Sequence, residues 1–493
     1  RKISVRRPVI DFFAGSEPQI SDVLSNNVTR ISYFNDVANM ILSKNTVLIM
    51  GIPGCGKSTL LLQLAFSEEI SGIKFWFNSI TCQEAENLRK LLMHEQQVVT
   101  IFIDNLYNNM EAFKVLREMT NVNLVLAERA LNFDYIKRSI NIESQDIIDI
   151  SNLCSEDVQR ICKGMNKSGE DAVSLLSSNN NVSLLEIVFY ASTNTLINER
   201  IRGYINDLRA FEDPNLKINL LELFALINYT SYCGVPCSMD MLLFYFHEDI
   251  DDYKDLLYAL NKMTKIIVQY EEVIEEIEDQ DYLIMRSKLF AERSLKLIDK
   301  ITMGKVLKEF WNRINPHIIY RYDVMKRRAY DADIITNVYN VKDGQDFYEK
   351  MFLINKSPFV KHQYAIFLLR KKQFDLAWKQ IDQAYTESEK KVFTIANTHA
   401  VIMFEMNIGA EANSDKELYL LKETMQKSFS TLEYCITQDV RINYHALIYA
   451  RNTIRYYERF GDDQYSEKYI DSSISQLEEI LHRDEYMYYK IKM

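Results

Sequence analysis

The stretch that decides the fold of the first part of the chain is TVLIMGIPGCGKSTLLLQLAF, residues 46–66. The β-branched and apolar residues 46–50 predict a buried strand, and the glycine-rich residues 51–58 predict a loop. From Thr59 onward the apolar residues predict a helix. The order strand, loop, helix is typical of the opening of a parallel α/β domain.

The loop has the spacing of a phosphate-binding loop: four residues separate Gly51 from Gly56, and a lysine and a serine follow. In such loops backbone N–H groups cradle phosphates at a helix N-terminus. The lysine reaches the β and γ phosphates, and the serine coordinates Mg²⁺. The sequence therefore predicts that ATP or ADP binds with Mg²⁺ at Gly51, Gly54, Cys55, Gly56, Lys57, Ser58 and Thr59.

Four more short apolar runs predict further strands, with helical stretches between most of them. Alternating strands and helices indicate a parallel sheet covered by helices on both faces. The four runs are GIKFWFNSI (72–80), VVTIFIDN (98–105), NVNLVLAER (121–129) and SQDIIDIS (144–151).

The second of these runs ends in Asp104, and an acid after an apolar strand completes the Mg²⁺ site of phosphate-loop ATPases together with Ser58. The alternative is a buried strand that happens to end in Asp. Asn105 follows, where many such ATPases carry a second acid that aligns water, and an amide is a poor base. We therefore expect an ATP-binding protein with slow ATPase activity, in which the nucleotide serves to hold a state.

The fold class predicted for the whole chain is α/β plus all-α. Three helices followed by a hairpin indicate a winged helix, and its acidic run at 271–281 opposes phosphate, which favours a packing role over DNA binding. The predicted domains are a linker segment (1–33), a phosphate-loop nucleotide-binding domain (34–151), a helical lid (152–213), the winged helix (214–300) and a tetratricopeptide-like helical array (301–493).

The array is predicted from small and large residues that interlock paired helices. One candidate pair spans 361–385, with Tyr364, Ala365, Leu368, Phe374, Ala377, Ile381 and Ala384 at the interlocking positions, and a second spans 442–481. An irregular helical bundle is the alternative.

Composition excludes several function classes. With 58 basic and 69 acidic residues the net charge is −11, so no global field favours nucleic acid, and we expect no direct nucleic-acid binding. The seven cysteines are an odd number without disulfide-type clustering, which predicts a reducing cytoplasm. No apolar run approaches the ~20 residues that cross a bilayer, so we expect no membrane partner.

The order of these modules resembles the STAND class of signal-transducing ATPases, which is NACHT- and NB-ARC-like, and in particular its bacterial antiviral-defence members. FFAGSEP (12–18) looks like the motif that precedes the nucleotide domain in this class, with Ser16 in place of its arginine. DYLIMRSKLFAE (281–292) is similar to the run that closes the winged helix, and Ser287 stands where the class often has a phosphate-facing histidine. The positions that match this run are Arg286, Leu289, Ala291 and Glu292.

Arg129, at the end of its predicted strand, is similar to the sensor arginine that contacts the γ-phosphate in this class. The predicted catalytic residues are therefore Asp104 and Asn105, from the apolar strand that is followed by an acid, and Arg129, from the resemblance. The alternative for Arg129 is an ion pair with Glu128 or another neighbouring acid on the sheet edge.

The resemblance implies a switch that holds ADP when closed, binds a trigger protein, viral in origin in antiviral members, through its C-terminal array, and forms homo-oligomers with ATP. Assembly would activate an N-terminal effector, expected outside this chain because it begins at Arg1. Two alternatives remain: a transcription regulator of the same ATPase class whose DNA-binding module lies outside the chain, and a remodelling ATPase, which would need efficient hydrolysis.

Overall fold

The chain forms two compact units, Arg1–Lys326 and Arg327–Met493. The computed structural model describes residues 12–13, 18–24, 28–129, 133, 136, 140, 142–151, 154–165, 170, 183–193, 196–214, 216–250, 253–263, 267–269, 281–285, 287–439 and 442–478. Of the residues in the predicted motifs, Ser16 and Arg286 lie outside these ranges, as does most of the acidic run of the predicted winged helix.

The first unit contains the predicted parallel sheet, and the α/β prediction is confirmed. Its five strands lie in the order β2-β3-β4-β1-β5, and every neighbouring pair is parallel. Met50 pairs with Glu128 and Gly51 with Arg129, so the ends of β1 and β4 meet. The strands are β1 (Thr46–Gly51), β2 (Ile73–Phe77), β3 (Val99–Ile103), β4 (Val122–Arg129) and β5 (Ile147–Asp149).

Helices cover both faces of this sheet, because alternate side chains of each strand point to opposite sides. In β1, Val47 and Ile49 belong to one buried apolar cluster, whereas Leu48 belongs to the cluster on the other face. The first cluster includes residues of α2 and α3, and the second includes residues of α4 and α5. The helices up to this point are α1 (Ile20–Leu24), α2 (Tyr33–Ser43), α3 (Lys57–Ala65), α4 (Cys82–Leu92) and α5 (Met110–Arg117).

A mainly helical region follows the sheet. It contains α6 (Ser155–Gly164), α7 (Leu184–Thr193), α8 (Ile197–Ala210), α9 (Leu220–Tyr232), α10 (Met239–Tyr245), α11 (Tyr253–Asn261) and α12 (Lys288–Leu297). A small antiparallel sheet has the order β6-β8-β7, formed by β6 (Cys237–Ser238), β7 (Ile267–Gln269) and β8 (Tyr282–Met285). The helices and the hairpin strands expected between 214 and 300 are present, while the winged-helix identity of this region stays a prediction.

The first unit extends past residue 300, where the sequence predicts the start of the helical array. The helix α13 (Lys300–Arg313) packs against α9 through aromatic side chains: Trp311 Nε1 donates to Tyr229 Oη at 3.1 Å, and the ring of Phe310 meets that of Tyr229 edge-on at 5.4 Å. This buried aromatic contact holds α13 in the first unit, which ends at Lys326, after the short helix α14 (Tyr322–Met325).

The second unit is helical throughout its described residues, and the helical-repeat prediction is confirmed. Consecutive helices pack against one another, and the predicted interlocking residues are buried except Phe374, which is half-buried. The helices are α15 (Ala332–Val338), α16 (Val341–Ile354), α17 (Pro358–Arg370), α18 (Phe374–Glu387), α19 (Phe393–Ile408), α20 (Asp415–Gln438), α21 (Ile442–Phe460) and α22 (Ser466–Glu478).

The close approach of α16 and α17 yields a stability prediction. A Cβ atom at Gly344 would lie 2.1 Å from Cζ of Phe367, whose ring is fully buried and has no room to move. Although Ala is about 1 kcal/mol better than Gly inside a helix, we expect Gly344→Ala to destabilise this helix pair by about 1–3 kcal/mol through overpacking. Amide hydrogen exchange of peptides from 341–370 measures the change.

The matched control is Gly409→Ala, because a Cβ at Gly409 would meet no atom within 4 Å. This variant should stay within about 0.5 kcal/mol of the wild type. Equal protection in the two variants would contradict the close packing of α16 on α17.

Candidate functional site

The loop between β1 and α3 has a backbone that only glycine adopts easily. Gly54 and Gly56 have φ values of +77° and +97°, in the left-handed region where side chains are strained. Gly51 is restricted by space, since a Cβ there would lie 2.6 Å from Sγ of Cys55. The glycines therefore hold the loop in a tight curve that leads into the N-terminus of α3, the geometry expected of a phosphate cradle.

Lys57 is buried, and its ammonium group is bound to the loop itself. Its Nζ donates to the carbonyl oxygens of Gly51 at 3.0 Å and Ile52 at 2.8 Å, and it lies 3.6 Å from Sγ of Cys55. Burial raises the pKa of the Cys55 thiol, against the opposing effect of the nearby Lys57 charge. The Cys55 side chain lies beneath the loop, so any contact of this residue with phosphate would come from its backbone.

The ends of β2 and β3 are joined by a network of amides. Asp104 is buried, and its Oδ1 accepts the backbone N–H of Asn105 at 2.9 Å. The Asn105 side chain donates to Oδ1 of Asn78 at 2.9 Å. The amide of Asn109 donates to the backbone carbonyls of Asp104 at 2.9 Å and Asn105 at 3.1 Å. These bonds determine where Asp104 and Asn105 lie relative to the phosphate loop.

Glu128 is a site residue to which the sequence interpretation gave no role beyond a possible partner of Arg129. Its carboxylate is buried at the end of β4, where Oε2 accepts the backbone N–H of Tyr107 at 2.5 Å and Oε1 accepts that of Arg129 at 2.7 Å. Glu128 thus connects the end of β4 to the turn that follows Asn105. The available signal was an acid at the end of an apolar strand, the same signal that identified Asp104.

The guanidinium of Arg129 forms an ion pair with the carboxylate of Glu292 on α12. Arg293, which follows Glu292 on α12, donates to Oε1 of Glu186 on α7 at 2.8 Å. Two consecutive residues of α12 therefore bind two different parts of the first unit, the end of the parallel sheet and the helix α7.

One cavity collects most of the predicted site residues. Its walls are formed by the phosphate loop, by the ends of β3 and β4, and by residues of α7 and of the start of α12. The phosphate loop meets α7 and α12 at Gly54. The carbonyl of Gly54 accepts the N–H of Leu185 at 2.9 Å, and a Cβ at this position would lie 3.2 Å from Cδ2 of Leu289. The predicted residues that line the cavity are Gly54, Gly56, Lys57, Ser58, Thr59, Asp104, Asn105 and Arg129; Gly51 and Cys55 do not.

The cavity also contains residues from regions that the sequence identified only by resemblance. Phe12, Phe13 and Pro18 come from the N-terminal motif, and Ser287 occupies the position of the phosphate-facing histidine. Ser287 is buried, and its hydroxyl accepts the N–H of Phe290 at 3.4 Å as the cap of α12. Trp76 and Asn78 at the end of β2 also line the cavity and carry no motif in the sequence.

The donor set suits Mg²⁺ bound together with a nucleotide. Ser58 and Asp104 offer a hydroxyl and a carboxylate to the same cavity, and Mg²⁺ prefers such oxygen ligands. Over the described part of the chain, no group of three or more His, Cys, Asp or Glu is arranged to hold a metal ion. Any Mg²⁺ at this site would therefore depend on phosphate oxygens for further ligands, as is usual for this ion.

A membrane-spanning helix is not found within the described ranges, since none of the helices there combines sufficient length with sufficient apolarity.

Comparison with known proteins finds a family match for the first part of the chain. Residues 10–141 match the family described as Novel STAND NTPase 5. The resemblance to STAND-class phosphate-loop ATPases is thereby confirmed, and it supports a signalling ATPase in general. No match was found among curated proteins.

Two solved structures show weaker similarity. One is a STAND protein with a tetratricopeptide repeat sensor from Pyrococcus horikoshii, at 14% identity and a TM-score of 0.33, covering 92% of this chain and 72% of that one. The other is the Drosophila ORC bound to AT-rich DNA and Cdc6, at 12% identity and a TM-score of 0.21, covering 56% of this chain and 93% of that one. Both TM-scores are low, so neither structure supports a statement about the function of this chain.

The site predicts a strong dependence of nucleotide binding on Lys57. Lys57→Ala should weaken ATP binding at least about tenfold, because a charge-assisted hydrogen bond contributes about 1.5–3 kcal/mol. Titration calorimetry measures the affinity, and circular dichroism confirms that the variant is folded. Lys114→Ala, which removes an exposed lysine of the same domain, is the control and should bind ATP normally. Normal ATP affinity in the folded Lys57→Ala variant would contradict the assignment of this loop.

Proposed function

We propose that this protein is an ATP-dependent signalling switch that senses a trigger protein and assembles into homo-oligomers. The observation that carries the proposal is the composition of the cavity, which is lined by the phosphate loop, by α7 and by the start of α12. A nucleotide in this cavity would contact three parts of the first unit, so its identity can control how firmly they are held together.

ATP or ADP would be bound through the backbone N–H groups of the loop and through the ammonium of Lys57. Two of the three N–H donors of Lys57 are bound to the carbonyl oxygens of Gly51 and Ile52, and the third lies toward Sγ of Cys55, a weak acceptor that a phosphate oxygen would replace. Ser58 and Asp104 would hold Mg²⁺, which supplies positive charge that stabilises the phosphates. Asn105 offers an amide where a base would speed water attack, so hydrolysis is slow and the bound nucleotide persists.

Arg129 is the proposed reader of the third phosphate. Its guanidinium lines the cavity and is paired with Glu292 across the cavity wall. A γ-phosphate would compete with Glu292 for the same cation, because both are anions that bind a guanidinium by its planar fork of N–H groups. ATP would therefore weaken the bond between the sheet and α12, whereas ADP would leave it intact.

The helical array is the proposed sensor. Stacked helices offer an extended face for a protein partner, and exposed aromatic and aliphatic side chains are common in such contacts. In the second unit the large apolar side chains that are exposed include Leu353, Phe359, Leu376, Tyr419, Leu420, Tyr434, Tyr444 and Tyr457. The trigger protein would bind to this exposed face. If the switch serves antiviral defence, the trigger would be a viral protein. Assembly would activate an effector N-terminal to the nucleotide-binding domain.

The competition at Arg129 gives two variants with opposite expected effects. Glu292→Gln removes the anion that holds Arg129, so ATP should drive assembly without a trigger or with less of it. Arg129→Ala removes the group that is proposed to bind the third phosphate. The ratio of ATP affinity to ADP affinity should therefore fall at least about tenfold, because a charge-assisted hydrogen bond contributes about 1.5–3 kcal/mol. Light scattering with ATP and with ADP measures the mass of each variant.

The control for both is Arg89→Ala, which removes an exposed ion pair with Glu118 in the same domain and should assemble like the wild type. Assembly of Arg129→Ala at wild-type ATP concentration would show that Arg129 only supports the scaffold. A wild-type mass that is the same with ATP, with ADP and with every trigger tested would contradict the switch itself.

The position of the unit boundary determines how the sensor is tested. A chain that ends at Lys326 keeps α13 on α9 and should still bind ATP, whereas a chain that ends at residue 300 loses the contact of Trp311 with Tyr229. We expect the chain ending at Lys326 to lose the response to a trigger that activates the full protein. A trigger that binds both forms with equal affinity would show that the sensor lies outside 327–493.

A further inference from the structure

Arg321 connects the final segment of the first unit to the nucleotide-binding domain. It lies between the 3₁₀ turn Pro316–Ile318 and α14, shortly before the unit ends at Lys326. Its guanidinium donates through Nη1 to the hydroxyl of Ser79 and through Nη2 to the carbonyl of Asn108 at 2.5 Å. One side chain therefore binds two loops that both lie far from Arg321 in the sequence.

Both loops carry residues of the cavity. Ser79 follows Asn78, which lines the cavity and accepts the side-chain N–H of Asn105. Asn108 precedes Asn109, whose amide donates to the backbone carbonyl of Asp104. Arg321 thus binds each loop one residue away from a group that positions Asp104 or Asn105.

The backbone of Arg321 indicates that its surroundings determine its position. Its φ is +53°, in the left-handed region that arginine rarely adopts, and such a conformation persists where surrounding contacts impose it. The neighbouring ring of Tyr320 contacts that of Tyr282 on β8 at 6.0 Å, edge to face. A lysine would have a single ammonium in place of the planar fork that reaches both acceptors.

We propose that Arg321 is a positioning residue of the nucleotide site, which holds the loops after β2 and β3 so that Asp104 and Asn105 face the third phosphate and Mg²⁺. The inference rests on the proposed ATP site and adds a route of control to it. Because Arg321 belongs to the segment that leads into the second unit, a change in that segment alters the phosphate end of the cavity without touching the phosphate loop.

The test uses the full chain and compares affinities for ATP and ADP by titration calorimetry. Because ADP would be held by the phosphate loop, Arg321→Ala should leave ADP affinity within about twofold of the wild type. The ratio of ATP affinity to ADP affinity should fall at least about fivefold, which is the lower end of typical coupling between sites. Arg321→Lys should recover part of the ratio, because one of the two hydrogen bonds can form.

A double-mutant cycle with Asn105→Ala separates positioning from general damage. Because Arg321 is proposed to act on Asn105 as well as on Asp104, the double variant should lose less of the ATP to ADP affinity ratio than the product of the two single losses. Multiplied effects in the double variant would overturn the inference, and so would an equal loss of ATP and ADP affinity in Arg321→Ala.

The matched control is Arg313→Ala. Arg313 lies in the same region and donates to Glu309, Glu248 and the carbonyl of Tyr245, contacts that lie away from the phosphate end of the cavity. Its loss should leave the ratio unchanged. If the wild type binds no ATP, the proposed function fails. If the wild type and Arg313→Ala prefer ATP and Arg321→Ala has the same ratio of ATP affinity to ADP affinity, only the role of Arg321 fails.

Discussion

β1 is paired on one side with β4 and on the other with β5, and all three strands run in the same direction. Parallel strands end at one edge of a sheet, so the phosphate loop after β1, the Asp104 turn after β3 and the charged end of β4 are brought side by side. Burying these groups requires partners for each of them. Lys57 bonds loop carbonyls, Glu128 bonds two backbone N–H groups, and Arg129 is paired with Glu292.

The helix α12 contributes one part of the cavity at this edge. Its capping residue Ser287 and its first turn line the cavity, and Glu292 and Arg293 bind the end of β4 and the helix α7. Breaking a half-buried ion pair leaves an unpaired charge, which is strongly unfavourable. In the proposed competition, a γ-phosphate would replace Glu292 as the anion bound to Arg129, so the cation would stay paired in either nucleotide state.

The second unit is built on a different constraint, the interlocking of small and large side chains between consecutive helices. Gly344 lies against Phe367, and buried polar groups add specific pairings to the apolar contacts. His445 on α21 is fully buried, with its ring nitrogens 2.8 Å from Asn397 on α19 and 2.8 Å from Asp439. Such pairings add specificity to the packing of one helix on another.

The sequence by itself predicts the phosphate loop, the polar residues that end the strands and the helical character of the last third. Each depends on neighbours in sequence: glycines at a set spacing, an acid directly after an apolar run, small residues at helical intervals. Only the tertiary structure decided that Glu292 is the partner of Arg129, that Glu128 joins β4 to the turn after Asn105, that α13 belongs to the first unit, and that Arg321 reaches Ser79 and Asn108. The physical reason is distance along the chain, since a pattern read over a few residues contains no information about which charges or rings a fold brings together from separate parts of the chain.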